Sequence, residues 1–298
     1  MMRQVALFIL SVLLIPSYAF AYGESVEGRP SFEMRRLLLL TNVSRSDPEA
    51  TLKDCLPVVC KDKHCFEGAE ARQPLYWDDH YGRSALFHSS NLKSAKCGMI
   101  HSSPCVLKPD IGQTFLKSCD GSVSCACEGG VATCKSGTSM LKRIKLFGRS
   151  GLSENIAGTS VAHEAHKNLY WEFAATDACA LDASNGHRWS ILDKRYGTVG
   201  FGVVENGVTV QNFGAPAIYY PISSGSYIDA GFDMFKLRRS KESYTTVPYV
   251  FLAHWYDKEG KEPKKAEVII GKNRYTMDRR LGKESGNSIW GYDSSDAL

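Results

Sequence analysis

The sequence predicts an α/β fold, and three observations carry that reading. Four stretches before residue 175 place their apolar side chains at helical spacing. The glycine-punctuated, β-branched run 199–213 reads as a hairpin with Asn206-Gly207 at its turn. The last stretch, 243–298, reads as strands separated by short polar turns.

The elements follow in order. Residues 31–43 form a first helix with a broad apolar face, Ser31 as N-cap and Glu33 in the first turn. Residues 44–73 are loop-like and hold three cysteines. Pro74-Leu-Tyr-Trp-Asp-Asp79 introduces a helix over roughly 79–96, with Tyr81, Ala85, Leu86, Leu92 and Ala95 near helical spacing. Residues 104–138 lack periodicity, hold five glycines and five cysteines, and read as a stapled insertion. Ser139 to Phe147 and Val161 to Phe173 resume helices. After the hairpin, 224–242 reads as a linker. In the small β module 243–298, Val247 to Tyr256 and Ser288 to Tyr292 are strands, and Lys265 to Met277 is a hairpin turning at Gly271-Lys-Asn273.

Met1 to Ala21 has the pattern of a secretory signal peptide: Arg3, a short apolar run from Val5 to Ile15, and a small-x-small site at Ala19-Phe-Ala21. The main domain is then 22–223, soluble, in a secreted or periplasmic setting. All ten cysteines (Cys55, Cys60, Cys65, Cys97, Cys105, Cys119, Cys125, Cys127, Cys134 and Cys179) follow that leader. An even count in an exported chain reads as disulfides, with local closures within 55–65 and within 119–134 expected. Cys125-x-Cys127 is not the spacing of a zinc knuckle. With 36 Lys and Arg against 32 Asp and Glu, the net charge of +4 is too balanced to argue for nucleic acid or an anionic membrane surface.

Five short motifs occur in order: Pro74-Leu-Tyr-Trp-Asp78, Phe87-His-Ser89, Ile100-His-Ser-Ser103, Ser153-Glu-Asn-Ile-Ala157 and Gly186-His-Arg188. The last opens the run Asn185 to Val203, which carries three glycines in Gly197-Thr-Val-Gly-Phe-Gly202. Together they resemble the signature of the CAP superfamily (cysteine-rich secretory proteins, antigen 5 and pathogenesis-related proteins), in its bacterial SCP-like extracellular form. The resemblance covers residues 31–215. It implies an α-β-α sandwich, here with the cysteine-rich insertion and the C-terminal β module added. It also implies a cleft lined by His101, Glu154, Glu172 and His187, with Glu164 the alternative to Glu172. This chain departs from the family pattern at Ser153, where glycine is usual, and in the long segment between Glu172 and His187.

Two imidazoles with a carboxylate and an open water position are a known zinc arrangement. On that chemistry His101 and His187 are the expected ligands of a Zn²⁺ ion, with Glu154 or Glu172 as ligand or base. The plainer reading is a polar cleft in which a Glu accepts backbone N–H groups at a helix start and pairs with a His. The main expectation is an exported binding protein whose cleft takes a lipid, a peptide or a divalent ion, with an envelope polymer or protein as partner. The alternatives are a zinc-dependent, peptidase-like hydrolase and a structural envelope protein. His163-Glu-Ala-His166 is one residue short of the H-E-x-x-H metalloprotease helix and reads as a solvated helix face. His88 reads as a packed or hydrogen-bonded histidine, and Gly197 to Gly202 as glycines that let strands pack. Trp255, Tyr256, Trp290, Tyr219 and Tyr220 read as core, with an aromatic strip for glycans as the alternative.

Overall fold

The computed structural model describes residues 30–53, 69–135, 137–172, 186–216, 221–229, 235, 237, 239 and 249–294. The leader, Cys55, Cys60, Cys65, Cys179, Tyr219 and Tyr220 lie outside the described residues.

Helix α1 (Phe32–Ser46) starts where Ser31 Oγ accepts the Met34 N–H. It is buried on nearly all sides, because it lies between two sheets. Leu37, Leu39, Leu40 and Val43 fill the shared core; each such side chain contributes about 1.5–3 kcal/mol by leaving water. Asn42 clasps the approach to the first sheet, donating to the Leu75 carbonyl at 3.0 Å and accepting the Leu75 N–H at 2.8 Å. Buried Arg45 donates to the carbonyls of Gln73, Ile191, Asp193 and Tyr196. A cation can sit there only because its donors are satisfied.

A short α2 (Pro48–Lys53) follows, then β1 (Tyr76–Trp77) and α3 (Asp79–Ala95), capped by Asp78. The insertion carries α4 (Ile111–Thr114) and α5 (Val123–Ala126). Phe115 from the insertion, Phe87 from α3 and Phe147 pack with ring centroids 5.4–6.0 Å apart. Three disulfides staple the insertion: Cys97–Cys134, Cys105–Cys127 and Cys119–Cys125. Only the last closes within 119–134. Cys134 and Cys127 reach back to Cys97 and Cys105 because the insertion folds onto the end of α3.

Next come α6 (Met140–Leu146), β2 (Ser153–Ala157), α7 (Ala162–Trp171), α8 (Gly186–Leu192), β3 (Thr198–Val203) and β4 (Thr209–Gly214). The first sheet has the order β1-β3-β4-β2, with β1 parallel to β3 and the other pairs antiparallel. Helix α3 lies on one face of it, and α1, α7 and α8 on the other. The fold class is α/β, as the sequence predicts. At Gly202, a Cβ would stand 2.1 Å from the Ala85 carbonyl carbon of α3. The glycine is there to let helix and strand touch.

The β3–β4 turn differs from the expected type I′ pair. Gly207 N donates to Val204 O, so Glu205 and Asn206 are the central residues, and of these only Asn206 has a positive φ, 52°.

The second sheet, β5-β6-β10-β9, is antiparallel. It comprises β5 (Ile222–Asp229), β6 (Tyr249–Tyr256), β9 (Asp278–Glu284) and β10 (Asn287–Ser294). A separate hairpin, β7 (Glu267–Ile270) with β8 (Asn273–Thr276), turns at the expected glycine. The linker reading of 224–242 is corrected at its start: β5 pairs with β6 from Ile222 to Asp229. Its Ser-Gly composition hid a strand that is held by its partner and by Ile228 in the core. Ile228, Val250, Leu252 and Ile289 join α1 in one continuous core, so the second sheet closes the open side of the α1 layer.

Candidate functional site: two carboxylate-backed histidines

Strand β2 is an edge strand, and both predicted His–Glu pairs are tied to it. Glu154 points from β2 toward the α3 side. Its Oε1 accepts from His101 Nδ1 at 3.0 Å, and its Oε2 accepts from Arg143 Nη2. The Asn212 amide, set with its nitrogen toward the carboxylate, lies 2.8 Å from the same Oε2. The Glu154 and Arg143 side chains are fully buried, whereas the His101 ring is 59% exposed. Arg143 also donates to the His101 carbonyl at 2.9 Å and to Ser103 Oγ at 3.3 Å, so one guanidinium fixes both the loop and the carboxylate. Burial alone raises the Glu154 carboxyl. The charge of Arg143 and the hydrogen bond from His101 outweigh it and hold the group below its usual value.

The second pair lies beside the next residue. Asn155 Nδ2 donates to the His187 carbonyl at 3.1 Å, anchoring α8 against β2. Glu172 ends α7 in the left-handed region, φ 42°. From there Oε1 accepts His187 Nδ1 at 2.8 Å and His187 N at 3.2 Å, and Oε2 accepts Arg188 N at 3.1 Å. The carboxylate therefore satisfies first-turn N–H groups of α8 and orients its histidine together. Burial pushes this carboxyl up; the His187 hydrogen bond and the Arg188 N–H outweigh it and hold it low. Glu164, the alternative, instead lies 3.4 Å from His163 Nε2 and 3.9 Å from Lys167 Nζ.

The two pairs share one logic. A carboxylate only accepts, so each Nδ1 carries a proton, and in the neutral tautomer that this fixes Nε2 keeps a bare lone pair. Among the described residues, neither Nε2 has a hydrogen-bond partner, and no hydroxyl or thiol bonds either ring.

For a metal, the fit is partial. No three donor atoms of the four residues come within 4.8 Å of one another. Every carboxylate oxygen already accepts at least one donor. A His₂Glu zinc centre does not fit this arrangement. Two imidazoles backed by carboxylates do match the pattern in which an outer carboxylate orients a metal-binding ring. Cys119, Asp120 and Cys125 are close together, but both sulfurs are in a disulfide and offer no thiolate.

Two of the other described histidines, His88 and His166, are buried in the fold. His88 is fully buried, its Nε2 donating to the Ile100 carbonyl at 2.8 Å, and burial lowers its pKa to about 3. The solvated-face reading of His163 and His166 is corrected: both turn inward on α7. His166 bonds Ser44 Oγ at 2.8 Å and stacks on Tyr170, with its pKa lowered by burial to about 3. Arg143 was missed by the sequence reading. It sits among three other basic residues between Lys142 and Arg149, and only its place beside Ile144 on the buried face of α6 marks it.

No protein-family model matches the chain, and no curated protein matches its sequence. Among solved structures, an extracellular protein containing an SCP domain from Bacillus anthracis str. Ames is similar at 18% identity and a TM-score of 0.36. The match covers 61% of this chain and 39% of that one, so this chain corresponds to less than half of that protein. Among the described residues, no helix is long and apolar enough to cross a membrane.

Proposed function

We propose that the chain is an exported, CAP-like binding protein whose recognition cleft is built on the outward Nε2 atoms of His101 and His187. The observation that carries this reading is that both carboxylates are already engaged, leaving the imidazoles as the groups open to a ligand. A general base or a zinc-ligating Glu needs a free carboxylate oxygen, and a nucleophile needs a partnered hydroxyl or thiol. These considerations favour binding over hydrolysis. An imidazole lone pair suits a borderline divalent ion, so Zn²⁺ with water in its remaining positions is the first ligand to test. A peptide or a lipid polar group donating to the same nitrogens is the second. Order and spacing of the five motifs support the CAP-like assignment, and three disulfides support an oxidising compartment.

The test is calorimetric titration of Zn²⁺ into oxidised, metal-stripped protein beside His101→Ala, His187→Ala and Glu172→Gln. Saturable binding lost in both histidine variants, and weakened by about 10–100-fold in Glu172→Gln, is expected for rings that bind and a carboxylate that orients. No saturable heat from the folded wild type sinks the ion reading. Amide hydrolysis that disappears in His187→Ala sinks the preference for binding.

A further inference from the structure

A cavity of about 330 Å³ opens beside α8, and no histidine of the cleft lines it. Its volume is at the low end for small-molecule sites. Trp189 lines one side; it is 43% exposed, and its indole N–H has no hydrogen-bond partner among the described residues. Two side-chain ion pairs line part of the rest, beside Pro48, Ala69, Leu192 and Arg188. Arg72 Nη1 meets Glu70 Oε2 at 2.7 Å, while its Nε is held by the Leu192 carbonyl at 3.1 Å. Arg195 grips both oxygens of Asp193, at 2.9 Å and 2.5 Å for Oδ2, and Asp193 Oδ1 also accepts the Arg195 N–H at 2.8 Å. Lys194 adds one ammonium with no ion pair among the described residues.

These walls select against two ligand classes. An anion must compete with the carboxylates already paired to Arg72 and Arg195; buried Arg188 spends donors on the Tyr170 and Trp171 carbonyls, so Lys194 is the ammonium left to attract one. An apolar ligand would strip water from four charged groups and return no hydrogen bonds. What the walls offer is an aromatic face together with donors and acceptors whose charge is cancelled within the two pairs, Lys194 excepted. The complementary molecule has an apolar face and a rim of neutral hydroxyls. We infer that this cavity is a carbohydrate site: one hexose-sized unit stacks on Trp189 and hydrogen-bonds the Glu70–Arg72 and Asp193–Arg195 pairs. Trp189 follows His187 by two positions on α8. At 100° per residue, that turns the two side chains to nearly opposite sides of the helix. The sugar site is therefore separate from the histidine cleft, and its failure would leave the proposed function standing.

The experiment is saturation-transfer NMR on the full exported chain, using methyl β-glucoside and N-acetylglucosamine as neutral probes, with glucuronate and inorganic phosphate as anionic ones. Transfer to ring protons of at least one neutral sugar is expected, at millimolar affinity. Trp189→Ala is expected to weaken it about tenfold, and Trp189→Phe, which keeps an aromatic face, by less. Asp193→Asn is expected to weaken it as well. Absence of transfer from both neutral sugars overturns the inference. So does binding unchanged in folded Trp189→Ala, or binding of glucuronate or phosphate alone that is lost in Lys194→Ala.

Discussion

Removing the Glu154 carboxylate leaves a fully buried guanidinium without its anion. Arg143 and Glu154 have no solvent-exposed side-chain surface, so water cannot replace the lost partner. Arg143 keeps only neutral acceptors, the His101 carbonyl and Ser103 Oγ. Breaking a buried pair from one side costs about 3–5 kcal/mol. At about 2 °C per kcal/mol for a chain of this size, Glu154→Ala is expected to lower Tm by roughly 6–10 °C. Arg143→Met should cost a similar amount, because it strands the carboxylate instead. The combined Arg143→Met, Glu154→Leu variant removes both charges and should recover much of the loss, since apolar replacements of buried pairs are often close to neutral. Circular dichroism melts of the wild type, Arg143→Met, Glu154→Leu and the double variant close the cycle and give the coupling energy. If each single change costs under about 1 kcal/mol, or if the double loss equals the sum of the singles, the buried pair is not what holds this wall of the cleft.

Two further outcomes follow from the packing and the buried histidines. The pKa values of His88 and His166 are about 3 and that of His254 is about 4, all lowered chiefly by burial. The unfolded chain therefore takes up protons below about pH 6.5 that the folded chain refuses, so stability is full above that pH and erodes as pH falls toward 4. Urea unfolding at several pH values should show a slope approaching three protons, about 1.4 kcal/mol per unit for each histidine; a flat profile between pH 6.5 and 5 refutes their burial as neutral rings. Below about 4.5, loss of the ionised Glu154 adds to the decline, because its folded pKa is depressed. Gly202→Ala should cost about 1–3 kcal/mol or more by forcing α3 off β3, read as a lower urea midpoint with unchanged slope, and an unchanged midpoint contradicts the contact.

Local signals made much of this fold legible in the sequence. Ser31 caps α1, Pro74 to Asp79 leads into α3, and Ser139 caps α6, because these depend on neighbours in sequence. Long-range pairing was not legible. Ser153 to Ala157 carries a Glu and an Asn and is marked in the sequence only as a motif, yet pairing with β4 makes it a strand. Ile222 to Asp229 is polar and glycine-bearing, and only β6 and the α1 core make it β5. The motifs singled out His101, Glu154, Glu172 and His187, and the structure joins them as two His–Glu pairs. Choosing between their roles needed geometry: the carboxylates were expected either as ligand or base or, on the plainer reading, as acceptors for a helix start and a His, and the structure spends them on Arg143, on the N–H groups of α8 and on the rings themselves. Arg143 carries no motif, and a buried cation among surface lysines becomes visible only through its partners.

Both imidazoles of the proposed site are expected to carry their proton on Nδ1 and to leave Nε2 bare. Long-range ¹H–¹⁵N NMR of histidine-labelled protein at about pH 9, where a histidine of ordinary pKa is neutral, reads the tautomer of each ring. The account predicts protonated Nδ1 and unprotonated Nε2 for both His101 and His187, with the His187 preference lost in Glu172→Ala. Nε2–H tautomers at either ring would contradict it.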